Sequence, residues 1–209
     1  VGTAHLNLVM NDYDILPVNN FKFGRNEDIH NIAPDAYEKL FTQGYADGCW
    51  YGCSMACAKA VDGFELTTGP DKGKKVTVDG PEYETAASLG SNVGIFDPLW
   101  TIETNYYADH YAIDTISLGT GLAFVCECYE LGLINKQHTN GLELKFGAKA
   151  DLIELIHRMV DGKDEFAAAV GKGVRKMKEI FSEKYGADRT VMERIGMEGQ
   201  GLEVSQYRC

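Results

Sequence analysis

A mainly α, irregular helical domain carrying one small β-hairpin is the fold class this sequence predicts, on three observations. Apolar residues recur at helical spacing through the last third: Leu152, Ile156 and Met159 share one helical face, as do Phe166, Val170, Val174, Met177 and Phe181. Helix starts are marked chemically, by Pro34, by Asp97-Pro98 and by Asp114-Thr115, because proline suits a first helical turn and aspartate caps free backbone N–H groups. Period-two alternation is confined to residues 64–80, around Gly69-Pro70 and Lys72-Gly73, so strands are too few to build a sheet.

In chain order, residues 1–33 read as an irregular lead-in, with Leu16-Pro17 and Asn19-Asn20 as turn chemistry. Pro34-Asp35 opens a helix expected to run to Gln43. Residues 44–57 are rich in glycine and cysteine and form a loop leading into a short helix. The hairpin at 64–80 ends on Val76-Thr77-Val78, and 81–209 is helical. Within that stretch, helices are expected over Glu82–Leu89, from Asp97-Pro98 to His110, and from the Asp114-Thr115 cap to Leu131. No repeat or low-complexity segment interrupts this order, and 1–209 reads as a single helical domain.

With 209 residues, 44% of them hydrophobic and 24% charged, the chain can build one ordinary core and lies far from disordered compositions. No apolar run reaches the ~20 residues that span a bilayer, and nothing resembles a secretory leader, so a soluble, cytoplasmic protein without a membrane partner is expected. A net charge of −11 disfavours nucleic acid, which demands clustered cations. The one basic stretch, Lys172, Arg175, Lys176 and Lys178, reads as a solvated helix face. The chain starts at Val1 and ends on a polar run before Cys209, which reads as a piece of a longer polypeptide.

Three of the six cysteines stand at intervals of four, as Cys49, Cys53 and Cys57. That spacing lets a loop and a first helical turn aim three sulfurs at one point, and thiolates are the ligands of [4Fe–4S] clusters. The fourth ligand is left to Cys126, Cys128, Cys209 or a part of the protein beyond the chain. Zinc is the competing metal, but it favours paired C-x2-C knuckles and no second knuckle is present. Three incidental packing cysteines are the plain alternative. Trp50 and Tyr51 fit either a shielded redox centre or ordinary packing. Cys126 and Cys128, two apart on an expected helix, read as core filling.

Several stretches together resemble the aldehyde:ferredoxin oxidoreductase family. Leu16-Pro17-Val18-Asn19-Asn20-Phe21 is similar to its L-P-[TV]-x-N-F stretch, and the cysteine triplet follows. Gly80-Pro81-Glu82-Tyr83-Glu84-Thr85 resembles G-P-E-Y-E-T, and Leu89-Gly90-Ser91-Asn92-Val93-Gly94-Ile95 resembles L-G-x-N-x-G-[IV]. Asp109 to Ser117 resembles the D-x-x-G-[LM]-D-x-[IF]-S pterin motif, and Gly201-Leu202-Glu203 the family's G-L-E.

The resemblance implies a chain about three times longer, in which a β-rich domain cradles a tungsten (or molybdenum) bis-pyranopterin and two helical domains close over it; this chain resembles the second domain of such enzymes. Carried over, Cys49, Cys53 and Cys57 ligate the cluster, Asp109 and Asp114 hydrogen-bond a pterin, and Glu84 is the active-site glutamate. The implied partners are the remainder of the polypeptide, a small aldehyde, and ferredoxin or a dedicated electron-transfer subunit, with homo-oligomer assembly left open. Ferredoxins are themselves usually acidic, so a −11 surface favours them only through local patches.

Two positions depart from the family pattern: the first cysteine interval is C-x3-C rather than C-x2-C, and Ala112 stands where the family has glycine. Glu103 lies near a family metal-ligand position, but Tyr106 replaces the histidine of that E-x-x-H pattern, and no metal site is expected there. Without the resemblance, Asp114 reads as a helix cap, Glu82 and Glu84 as first-turn carboxylates favoured by the helix dipole, and Asp109 as a surface acid. Two other functions stay open, a benzoyl-CoA reductase-like tungsten subunit and a non-catalytic Fe–S electron-transfer module.

Overall fold

The lead-in is helical where an irregular segment is expected. In the computed structural model, which describes residues 2–44, 50–54 and 57–208, a 3-10 turn over Gly2–His5 runs into α1, Leu6–Asp12. Its buried face escapes a hydrophobicity reading because two of its inward residues are asparagines. Asn7 Nδ2 donates to the Ile32 carbonyl at 2.9 Å, and Asn11 Oδ1 accepts from the Asn26 N–H at 2.8 Å. Polar residues stand inside because they satisfy the backbone of the neighbouring Glu27–Ile32 3-10 helix and its lead-in.

α2 covers Pro34–Glu38, shorter than expected, because the chain turns back at Tyr37 to enter β1, Gln43–Gly44. β1 pairs antiparallel with β2, Lys59–Glu65, and β2 with β3, Lys75–Asp79, in the order β1-β2-β3. The hairpin therefore starts at 59 rather than 64, and a third strand makes it a sheet. The first half of β2 is buried on both faces, including the charged Lys59, so alternation marks only its outer half.

The helices that follow carry their start signals where the sequence places them. α3 is Tyr83–Ser88. α4 is Pro98–His110, capped by Asp97 on the Leu99 and Trp100 N–H groups. α5 is Thr115–Glu130, capped by Asp114 on the Ser117 N–H at 2.7 Å. α5 is the axis of the larger core: Leu118 to Cys128 is buried without interruption, so the helix is buried all round rather than on one face, with Glu127 held there by Asn20. Cys126 and Cys128 are both fully buried in that core, as expected.

α6 (Lys149–Asp161), α7 (Glu165–Val170), α8 (Val174–Tyr185) and α9 (Arg189–Ile195) wrap α5. The expected apolar face from Phe166 to Phe181 is one buried surface built by two helices. Gly171-Lys172-Gly173 breaks the chain there, and Gly173 takes φ +83°. Phe166 and Phe124 both stack on Phe181. The basic run is not simply solvated. Lys178 is buried and bonds Glu193 at 2.6 Å and Glu198 at 2.9 Å, while Arg175 reaches Glu198 at 3.0 Å. Chiefly through Lys178, the Glu198 carboxyl is held down at about 2. Glu198 begins β4 (Glu198–Gly199), which pairs with β5 (Leu202–Glu203).

A second core joins the N-terminal segments to β2, β3, α3 and α4. Between the two, Leu16 to Phe21 docks on the turn after α3: Asn19 and Asn20 donate to the Ser91 and Asn92 carbonyls, and Phe21 N–H to Asn92 Oδ1. Two of the motifs quoted above thus meet each other. No helix among the described residues is long and apolar enough to cross a membrane.

Candidate functional site

Glu84 stands in the first turn of α3, and Asp114 caps α5; the fold brings the two helix starts together. Thr85 Oγ1 and Thr115 Oγ1 are 2.8 Å apart, and Ser88 Oγ donates to the Thr115 carbonyl at 2.8 Å. The approach is close enough that a Cβ on Gly119 would sit 1.9 Å from Ser88 Oγ and 2.5 Å from its carbonyl oxygen, so only glycine fits there. Glu84 is half-buried, and its Oε2 accepts the Gln206 N–H at 2.9 Å. Burial pushes the Glu84 carboxyl above the usual range; the Gln206 N–H opposes this and the Asp114 charge adds to it. Such a group sits nearer to proton exchange at neutral pH than an ordinary surface glutamate.

Asp109 lies in the last turn of α4, five residues before Asp114, and the turn between them explains the family glycine. Ile113 N–H bonds the Ala108 carbonyl at 2.8 Å and Ala112 N–H the Asp109 carbonyl at 3.1 Å, the two bonds of a Schellman helix end. Its C′ position is left-handed, and Ala112 takes it with φ +55°. The alanine accepts the strain rather than avoiding it. Replacing Ala112 with glycine in the full-length protein is expected to raise stability by about 1 kcal/mol, seen as a higher thermal midpoint. An unchanged or lowered midpoint would show that the turn carries no strain.

Both aspartates are exposed in this chain. The Asp109 carboxylate accepts no hydrogen bond among the described residues; partial burial, followed by the Asp79 charge, pushes its carboxyl up. Asp114 uses Oδ2 for its cap, leaving Oδ1 open. The structure brings Asp114 close enough to act on Glu84, whereas the charge acting on Asp109 is that of Asp79; open carboxylate oxygens of this kind fit a ligand edge rich in N–H donors, such as a pterin aminopyrimidine.

Of the cysteine triplet, Cys49 lies outside the described residues, as does Cys209. Cys53 and Cys57 are free, partly exposed thiols, and Cys53 N–H closes a turn on the Trp50 carbonyl at 3.0 Å. Trp50 and Tyr51 are exposed. Cys126 and Cys128 drop out as fourth ligands, because they fill the core and burial raises both thiols far above the thiolate range. No three His, Cys, Asp or Glu side chains among the described residues are grouped to hold a metal ion. Two accessible thiols set apart from two inert ones suit soft-metal ligation at 49–57.

Sequence reasoning missed Gln206 and Lys59. Gln206 reaches Glu84 across 122 positions; its Nε2 bonds Thr120 Oγ1 at 3.0 Å and its carbonyl accepts the Tyr83 hydroxyl. The neighbouring Gly201-Leu202-Glu203 signals this only indirectly, since Glu203 anchors the segment by accepting the Val174 N–H at the start of α8. Glu103 is buried and consumed by four donors, the N–H and hydroxyl groups of Thr67 and Thr68.

Comparison with known proteins follows the same lines. Residues 1–209 match the family model described as aldehyde ferredoxin oxidoreductase, domains 2 & 3. The tungsten-containing aldehyde ferredoxin oxidoreductase of Pyrococcus abyssi is 30% identical over 184 residues, which is 87% of this chain and 28% of that protein. The aliphatic sulfonate oxidoreductase WOR-like subunit of Pyrococcus furiosus is 33% identical over 140 residues, 67% of this chain and 21% of that one. Among solved structures, the active-site complex BamBC of benzoyl coenzyme A reductase with 1,5-dienoyl-CoA is similar, with a TM-score of 0.67 at 15% identity over 98% of this chain and 28% of that chain; at that identity the likeness speaks for the fold alone. The chain spans under a third of the length of these relatives. From its first motif to its last, it belongs to the aldehyde ferredoxin oxidoreductase family of tungsten enzymes.

Proposed function

We propose that this chain is the cluster-bearing, pterin-facing part of an oxidoreductase that converts aldehydes to carboxylic acids, R-CHO + H2O → R-COOH + 2 e− + 2 H+, passing electrons through a [4Fe–4S] cluster to ferredoxin or an equivalent subunit. The observation that carries the reading is the convergence of Glu84 and Asp114 at two adjoining helix starts. When bound, the tungsten (or molybdenum) bis-pyranopterin supplies the two-electron chemistry and the cluster the single-electron exit. Cys49, Cys53 and Cys57 hold the cluster as thiolates, in a reducing compartment such as the cytoplasm. Asp109 and the open Oδ1 of Asp114 accept pterin N–H groups. Ionised Glu84 takes up a proton at its carboxylate as the substrate is oxidised, a role its raised pKa suits.

The benzoyl-CoA reductase-like reading draws on the structural likeness, but the Gly80-Pro81-Glu82-Tyr83-Glu84 run supports the aldehyde branch. Elemental analysis of the native full-length protein is expected to find about four iron atoms per tungsten or molybdenum, with acid-labile sulfide. Iron and sulfide without either heavy metal would point to the plain electron-transfer module. Viologen-linked aldehyde oxidation then separates the two enzyme readings.

A further inference from the structure

Lys59 is a charged residue that the chemistry above does not use, yet it is only 5% exposed and sits at the start of β2, two residues after Cys57. Its Nζ forms an ion pair with Glu82 and donates to the Cys57 carbonyl at 3.3 Å. Its stem lies over the backbone of Gly80, where an added Cβ would come within 2.3 Å of Lys59 Cγ, and its ammonium faces the Phe41 ring at 5.9 Å. The N-terminal 3-10 turn closes the other side: Thr3 donates to Glu82 from both its backbone N–H and its hydroxyl. Four separate segments thus meet at the pair: they bury the Lys59 ammonium, while the Glu82 carboxylate keeps one side open to water.

Its place in the chain gives this burial a purpose. Lys59 is two residues from a cluster ligand, and Glu82 is two residues from Glu84. The two chemistries are therefore joined within this chain by Cys57-Ala58-Lys59, an ion pair, and Glu82-Tyr83-Glu84.

We propose that Lys59 is a positioning residue for the cluster, which holds the Cys57 end of β2 against the helix that carries Glu84 and fixes a buried positive charge beside the thiolates, raising the cluster's reduction potential. This rests on the function proposed above. Added electrons make a thiolate-bound cluster more negative, so a nearby buried cation stabilises the reduced form, while the Glu82 carboxylate tempers that effect.

The test is an EPR-monitored redox titration of the cluster in the full-length, metal-loaded enzyme. Lys59→Met is expected to move the midpoint to lower potential, Lys59→Arg to keep it near wild type, and Glu82→Gln to move it higher by unmasking the cation. An unmoved midpoint in Lys59→Met overturns the proposal, as does a shift of Lys59→Met and Glu82→Gln in the same direction, the mark of simple loosening. If Lys59→Met does not fold, Glu82→Gln decides alone, and failure of its midpoint to rise overturns the proposal. A wild-type enzyme without cluster iron overturns the proposed function itself, whereas a clustered enzyme with unmoved midpoints overturns only the role of Lys59.

Discussion

Replacing Cys53 with alanine in the full-length enzyme is expected to abolish the low-temperature EPR signal of the reduced cluster. Cys53 is a free, partly exposed thiol, held by the turn in which its N–H bonds the Trp50 carbonyl. A [4Fe–4S] cluster needs four ligands, so removing one thiolate leaves an iron open to solvent and the assembly labile. The contrasting variant is Cys128→Ala. Cys128 packs in the core around α5, and its loss is expected to cost stability through a small cavity while leaving the signal in place. A Cys53→Ala enzyme with full signal intensity removes Cys53 from the ligand set; loss of the signal in Cys128→Ala as well would trace both losses to unfolding.

The two thiol classes also show how far sequence alone reaches. α4 and α5 start where Asp97-Pro98 and Asp114-Thr115 place them, because capping is local chemistry written in adjacent residues. α1 is not legible: its inward positions include Asn7 and Asn11, whose value lies in carbonyl and N–H partners supplied by a distant turn. α8 is split from α7 by Gly171-Lys172-Gly173, which a period-3.6 pattern runs straight across. In the candidate site, Glu84, Asp109 and Asp114 are singled out by sequence because each belongs to a short contiguous motif. The partner of Glu84 is a backbone N–H, that of Gln206, and every residue except proline offers one, so only the fold can single it out. Lys59 is hidden for the opposite reason. A lysine in a strand reads as an exposed charge, and its burial depends on Glu82, Gly80 and Thr3 arriving together.

Glu84→Gln is expected to lower turnover by about 10²-fold or more while the enzyme keeps its metals and its cluster. The substitution is close to isosteric, and an amide oxygen can still accept the Gln206 N–H, so the α3 start and the C-terminal segment laid over it should stay in place. What disappears is the carboxylate that takes up a proton. The sign of the pH dependence follows from the raised pKa. As pH falls through a value above the ordinary carboxylate range, wild-type Glu84 gains a proton and loses its capacity as a base, so the acid limb of kcat belongs to it. That limb should vanish in the glutamine variant, leaving a low and flatter profile. Stability moves independently: a carboxyl whose pKa is raised by folding favours the fold fully below its unfolded value and loses that contribution as pH rises through the folded one. Relative to Glu84→Gln, the wild type should therefore lose stability across that window, since the amide neither ionises in its half-buried site nor repels Asp114. A fully loaded glutamine variant with unchanged kcat would take Glu84 out of proton transfer and leave it as the anchor of the C-terminal segment alone.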